Sequence, residues 1–132
     1  AVIVGAGSKL AEECPQGIIE APIAKDVFRP NRRVVASGGQ RAVTHFQVLK
    51  EGQSFSLLSL WLETGRTHQI RVHLAHSGYP VVGDKMYGRA DKSLGRQALH
   101  AAALEFIHPL TGEKLKLRAK RPEDFQHLID NI

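Results

Sequence analysis

The sequence predicts an α+β fold, a mixed and largely antiparallel sheet with a few packed helices, incomplete at its N-terminus. Three observations carry that reading. Two strand-like runs, 44–50 and 54–62, flank the short glycine loop Glu51-Gly52-Gln53 and form a hairpin pattern. A segment of helical character follows Thr64-Gly65 and is stopped by Gly78 and Pro80. A second hairpin is expected where 98–107 runs through His108-Pro109-Leu110-Thr111-Gly112 into the alternating run Lys114 to Lys120.

In chain order, Ala1-Val2-Ile3-Val4-Gly5 has the pattern of a buried strand with no polar approach and no initiator methionine, so preceding residues are expected. A loop is predicted over 6–17. Residues 18–23 are short and extended, with Pro22 marking an edge or a strand end. From Lys25 to Gln40 the composition shifts to Arg29, Pro30, Asn31, Arg32 and Arg33, then Ser37-Gly38-Gly39. This predicts a mobile basic loop, either a solvated linker or a contact for a polyanion. The run 55–62 is apolar on both faces and is placed centrally in a covered sheet, with Trp61 in the core.

That strand delivers the most informative stretch of the chain. Leu62 to Leu74 carries Arg66 and Arg71 with His68 and His73, and His76 follows two residues on. Thr67 is the expected N-cap, its hydroxyl accepting from an orphan backbone N–H. Ile70 and Leu74 share one face, and Arg71 and Ala75 the adjacent one. A strand, a tight turn and a helix opening with cations aim side chains at one point. Arginine offers a planar fork for phosphate or carboxylate, and a helix N-terminus adds partial positive charge. The alternative is that both arginines are solvated surface charges.

Beyond it, Tyr87-Gly88 closes a loop and 89–96 is polar. In 114–120 leucines and alanine take one face and four cations the other. This is either an edge strand made soluble by charge or a basic stripe for a phosphate backbone. Residues 122–132 form a terminal helix with Phe125, Leu128, Ile129 and Ile132 on one side.

With 132 residues the chain is one domain or part of one. No apolar run approaches membrane-span length, and no export leader is visible. The lone Cys14 rules out an internal disulfide framework and fits a reducing cytoplasm. A formal net charge of +5 favours a polyanionic partner, most commonly nucleic acid. His68, His73 and His76 lack an accompanying acidic residue or a metal-binding spacing, so no metal site is expected. Gly5-Ala6-Gly7 lacks the third glycine of a dinucleotide motif, and no carboxylate pair suggests glycosidase chemistry.

Thr64-Gly65-Arg66-Thr67-His68-Gln69-Ile70-Arg71-Val72-His73, then Gly78-Tyr79-Pro80-Val81-Val82-Gly83-Asp84 and Tyr87-Gly88, resembles the signature of the RluA-type RNA pseudouridine synthases. Leu99-His100-Ala101, Leu104, Phe106, His108-Pro109 and Thr111-Gly112-Glu113 resemble the family's later motif. Ala21-Pro22-Ile23 and Ala42 with Thr44 match its proline-containing strand and following hairpin. The resemblance implies a pseudouridine synthase-like fold and isomerisation of uridine to pseudouridine in structured RNA, without metal or cofactor. An aspartate attacks, the glycosidic bond breaks, and the freed uracil turns and rejoins through carbon. The target nucleotide must leave its stack.

The resemblance further implies that Arg71 pairs with the nucleophilic aspartate, which a guanidinium keeps ionised and positioned. Arg66, Thr67, His68, Ile70 and His73 become candidate RNA-binding residues, while Asp84 is expected to be structural. The family's H-R-L-D-x-x-T-S-G motif, which carries the nucleophile, is not in this sequence, and its stacking tyrosine would precede Ala1. The chain is therefore expected to be the C-terminal part of one catalytic domain, 1–132, inactive alone. The implied substrate is ribosomal RNA of the large subunit ahead of transfer RNA, bound by a monomer. A non-catalytic RNA-binding module derived from that fold is the competing reading.

Overall fold

The computed structural model describes residues 2–5 and 10–132 of the chain. Four strands form the main sheet: β1 (Val2–Gly5), β2 (Gln16–Glu20), β5 (Val43–Glu51) and β6 (Phe55–Leu62). Their order is β1-β6-β5-β2, and every pairing is antiparallel. The hairpin read from the sequence is β5–β6, with Thr44 opposite Leu62 and a register shift between Val48 and Lys50. Two further ribbons complete the strands, β3 (Ile23–Lys25) with β4 (Arg33–Val35) and β7 (Ala103–Ile107) with β8 (Lys114–Arg118). The helices are α1 (Leu10–Glu13), α2 (Gln69–His76) and α3 (Glu123–Asp130).

Central placement of β6 holds, since it lies between β1 and β5. Ser56, Leu57 and Leu58 are buried in succession, so the sheet is covered on both faces there. Leu57 and Leu58 meet Leu74 of α2, Val81, Val82, Leu94 and Ala98, together with Phe125, Leu128 and Ile129 of α3. The apolar stripe read from 122–132 is therefore the face α3 buries. The C-terminus of α2 is also as read. Gly78 has φ +87°, its N–H bonds Ala75 O, and the Tyr79 N–H bonds Leu74 O. That double closure is a Schellman motif.

Several expectations change. Trp61 is not core: it is 51% exposed and stacks on His45, its cross-strand partner, with ring centroids 5.2 Å apart. The strand outruns the elements that cover it, so its last two residues face outward. The stretch 25–40 is not all loop, because β4 folds back on β3 and leaves only 26–32 as the basic turn. Of the loop predicted over 6–17, residues 10–13 are helical, the strand begins at 16, and 6–9 lie outside the described residues. The later strand starts at Ala103, not Ala98, whose N–H instead bonds Val82 O.

The β7–β8 ribbon alternates as expected. Leu104 faces Leu117 and Phe106 faces Leu115 across it, while Glu105 faces Lys116. The apolar side stays open: Leu104, Phe106 and Leu117 are exposed. On the charged side Glu105 pairs with both Lys114 and Lys116, so that stripe is partly neutralised.

Candidate active site

The helix α2 is held by a neutral polar network anchored on β5. The Gln69 side-chain amide donates to Val43 O (2.9 Å) and to Thr44 Oγ1 (3.0 Å). Its Oε1 accepts from the Thr64 hydroxyl (2.8 Å) and from the Arg66 N–H (3.0 Å). Thr64 Oγ1 in turn accepts from the Val43 N–H (2.9 Å). His73 is fully buried between Thr44 Oγ1 at Nδ1 and Ala21 O at Nε2, both at 2.9 Å. A carbonyl can only accept, so Nε2 carries the proton and Nδ1 receives the Thr44 hydroxyl. Burial pushes the His73 pKa down, the bond to Ala21 O pulls against it, and His76 adds to the fall. His73 is thus a neutral core group and not an RNA contact, which corrects the expectation for that residue.

The turn entering α2 differs from the one expected. The N-cap is His68, not Thr67, and it sits in the left-handed region at φ 57°, with no side-chain cap bond. The Gln69 Oε1 instead takes the Arg66 N–H of the entering turn, and Thr67 is left exposed. A non-glycine residue in that conformation is costly and persists only where its surroundings fix it. Here the fixing partner is Tyr87, whose hydroxyl lies 2.9 Å from His68 Nδ1 and accepts from the Arg33 N–H at 2.8 Å. Burial, then the charges of Arg71 and Arg33, push the His68 pKa down, opposed by Asp84. The Tyr87 hydroxyl and His68 Nδ1 share this bond, whose direction follows the tautomer of the neutral ring.

Arg71 is the charged centre of the site. It donates from Nε to Asp84 Oδ2 (2.7 Å) and from Nη2 to Asp84 Oδ1 (2.9 Å), a bidentate pair. Asp84 is 1% exposed and also accepts the N–H groups of Met86 and Tyr87. Burial would raise its pKa, but the Arg71 bond, those two N–H donors and the Arg71 charge together hold it below the ordinary value. The Asp84 bond, against desolvation, raises the pKa of Arg71. Asp84 thus closes its own turn, as expected, and in addition clamps Arg71. Gly83 makes that turn possible. At φ +75°, a Cβ there would lie 2.2 Å from Arg96 O, so no side chain fits.

The guanidinium carbons of Arg32 and Arg71 lie over the Tyr87 ring, 5.2 and 5.0 Å from its centroid. Tyr87 therefore joins the β3–β4 ribbon to α2, a role the sequence reading did not give it. Among the described residues, Nη1 of Arg71 has no hydrogen-bond partner, and the side chain keeps 14% of its surface accessible. Arg66 and Thr67 are exposed beside it in sequence, and Arg66 Nε donates to Arg41 O. Ile70 is half-buried against the larger core. The structure thus gathers Arg71, His68, Asp84 and Tyr87, sets Arg66 and Thr67 on the surface, and withdraws His73.

Comparison with known proteins places this arrangement. Residues 2–76 match the model of a family described as RNA pseudouridylate synthase. The chain belongs to that family. The RluA-type resemblance read from the signature is borne out. The chain is 50% identical over 115 residues to an uncharacterized RNA pseudouridine synthase of Bacillus subtilis, YhcT, covering 86% of this chain and 38% of that protein. Against ribosomal large subunit pseudouridine synthase D of Zymomonas mobilis it is 43% identical, covering 86% and 39%. A solved structure of human RNA pseudouridylate synthase domain containing 1 superposes with a TM-score of 0.76 at 26% identity, covering 92% of this chain and 53% of that one. The α+β pseudouridine synthase-like fold is confirmed. The chain spans about two fifths of the length of the relatives it matches.

Proposed function

We propose that this chain forms the arginine-bearing part of the catalytic domain of an RNA pseudouridine synthase, acting on large-subunit ribosomal RNA in a reducing cytoplasm. The observation that carries the reading is Arg71. Its guanidinium is fixed in plane by Asp84 through Nε and Nη2, while Nη1 stays without a partner among the described residues. A guanidinium so clamped can receive a second carboxylate at Nη1 without reorganising. That carboxylate is the nucleophilic aspartate, which the chain does not itself supply, so these 132 residues alone turn over no uridine. With the aspartate in place, Arg71 holds it ionised. The C1′–N1 bond of uridine breaks, the C1′–C5 bond forms, the hydrogen on C5 leaves to water as a proton, and N1 takes up a proton from water.

The ribosomal assignment draws on relatives named ribosomal large subunit pseudouridine synthase D, 38–43% identical to this chain. The test is tritium release from RNA bearing 5-tritiated uridine. In the longest polypeptide carrying this sequence, Arg71→Ala is expected to cut the rate by about a thousandfold while RNA affinity falls only modestly. An RNA-binding module without catalysis would instead show no release in either form and a salt-dependent loss of affinity.

A further inference from the structure

Away from the Arg71–Asp84 pair, a second concavity opens between the β3–β4 ribbon and the turn leading into α2. Its volume is about 300 Å³. Lys25 and Arg33 line it from the ribbon, Gly38 and Gly39 from the following turn, and Arg66 and Thr67 from the entry to α2. Three cations converge on one cleft and no carboxylate lines it. None of Lys25, Arg33 and Arg66 is in an ion pair among the described residues. Some cations elsewhere on the surface are neutralised instead: Arg41, Arg96, Lys114 and Lys116 each have an acidic partner. Like charges brought together without counter-charges repel, so their convergence needs either a scaffold or an anion.

The scaffold is built in. A Cβ on Gly39 would lie 2.7–2.9 Å from the backbone atoms of Ile23, so only glycine lets this turn pack against β3. Reciprocal bonds between Ile23 and Gln40 (2.9 and 2.8 Å) and the Gly39 N–H to Ala36 O (3.0 Å) close the wall. Opposite it, Arg66 is held at both ends: Gln69 takes its backbone N–H, and its Nε reaches Arg41 O. Arg33 is anchored by its N–H on Tyr87, and its Nη1 donates to Pro30 O and Arg32 O. Both arginines spend one or two donors on the fold and keep others for a ligand.

We infer that this cleft, formed by Lys25, Arg33, Arg66 and Thr67, binds a backbone phosphate of the RNA, separately from the uridine engaged at Arg71. Its size accommodates a phosphodiester with its flanking ribose, and its cation count exceeds what one monoanion needs for neutralisation. The cleft supplies register. Through Arg33 and Tyr87 it is mechanically tied to His68 and Arg71, so seating the phosphate fixes where the rest of the nucleotide chain lies. This inference rests on RNA being the partner of the chain.

The experiment is RNA binding by fluorescence anisotropy against salt, using a labelled uridine-containing hairpin and the longest polypeptide carrying this sequence. The cleft variant is Lys25→Gln with Arg66→Gln. The charge-matched control is Lys92→Gln with Arg121→Gln, two exposed cations outside the cleft. The cleft variant should bind on the order of tenfold more weakly, and its slope of log K against log salt should fall by about one. The control should retain both affinity and slope within about twofold. A hairpin bearing neutral methylphosphonate at successive linkages should reveal one linkage whose neutralisation weakens the parent protein but not the cleft variant. Equal losses in cleft variant and control, or no loss in either, would overturn the cleft. Absence of salt-dependent RNA binding by the parent protein would instead overturn the proposed function on which the cleft depends.

Discussion

On one side of α2, Gln69 and His73 are sealed into a neutral network with Thr44 and Thr64 in which every side-chain donor and acceptor is matched. On another, Arg71 and Asp84 bring full charges together and leave one guanidinium nitrogen over. Eight residues of helix thus carry two different treatments of polar groups. The neutral network has nothing left to offer a ligand, and its product is position, since it fixes the turn from Thr64 to His68 against β5. The charged pair has something left, and its product is a directed cation. The contrast teaches that burial of a polar residue in this signature is not a measure of its chemical role. His73, the most buried, is the scaffold, and the partly accessible Arg71 is the one that keeps a donor unspent among the described residues.

Breaking the charged side should have the larger effect on stability. Asp84→Ala strands the Arg71 guanidinium against a buried turn and removes the acceptor of two backbone N–H groups. The expected cost is about 3–5 kcal/mol in urea unfolding, and activity should fall with it. Breaking the neutral side should cost less. Thr44→Val keeps the shape but leaves His73 Nδ1 without a donor and one Gln69 hydrogen without an acceptor. About 1–3 kcal/mol should be lost by the same assay, with the intrinsic affinity for RNA preserved in the folded fraction.

Acid should separate the two sides by pH window. His73 has a folded pKa below 6.5, so the unfolded chain binds more protons there. Stability gained from keeping it neutral is fully present above pH 6.5 and is lost as pH falls below that value. The slope is at most about 1.4 kcal/mol per pH unit. His68 shifts the same way with less burial. Asp84 has a folded pKa below 3.8, so its contribution is present above 3.8 and lost only as pH falls further. Unfolding free energy measured from pH 7 to 3 should therefore decline in two stages. Replacing His73 with Gln should flatten the upper stage, and a profile unchanged by that substitution would contradict the assignment.

Much of this architecture was legible in the sequence because local rules and tertiary packing agreed. The glycine loop at 51–53 gave the β5–β6 hairpin, Gly78 with Pro80 gave the end of α2, and the spacing of Phe125, Leu128 and Ile129 gave the buried face of α3. The failures share a cause, which is that a pattern reports a residue's chemistry but not what lies across from it. Trp61 reads as core because it sits in an apolar run, yet that end of the strand is exposed, with His45 stacked on the ring. Thr67 is a good cap by type, but the helix begins one residue later, with His68 in the left-handed region at the N-cap position. Histidines 68 and 73 look alike in a basic signature. Only the fold shows that one meets Tyr87 at the rim while the other is closed in beneath Ala21. Tyr87 was invisible as a hub because its partners, Arg32, Arg33, His68 and Arg71, come from two distant segments.

The open apolar side of the β7–β8 ribbon sets the colloidal behaviour of the purified chain. Leu104, Phe106 and Leu117 present a poorly hydrated apolar stripe that favours self-adhesion, while a formal net charge of +5 keeps molecules apart. Salt weakens the second force and not the first, because at about 0.15 M charges are screened beyond roughly 8 Å. Light scattering from the isolated 132-residue chain should therefore rise with added sodium chloride. A Leu104→Lys and Leu117→Glu pair across the ribbon should suppress that rise without changing the net charge. For handling this polypeptide, dilute buffer is the protective condition, and concentrated salt invites precipitation.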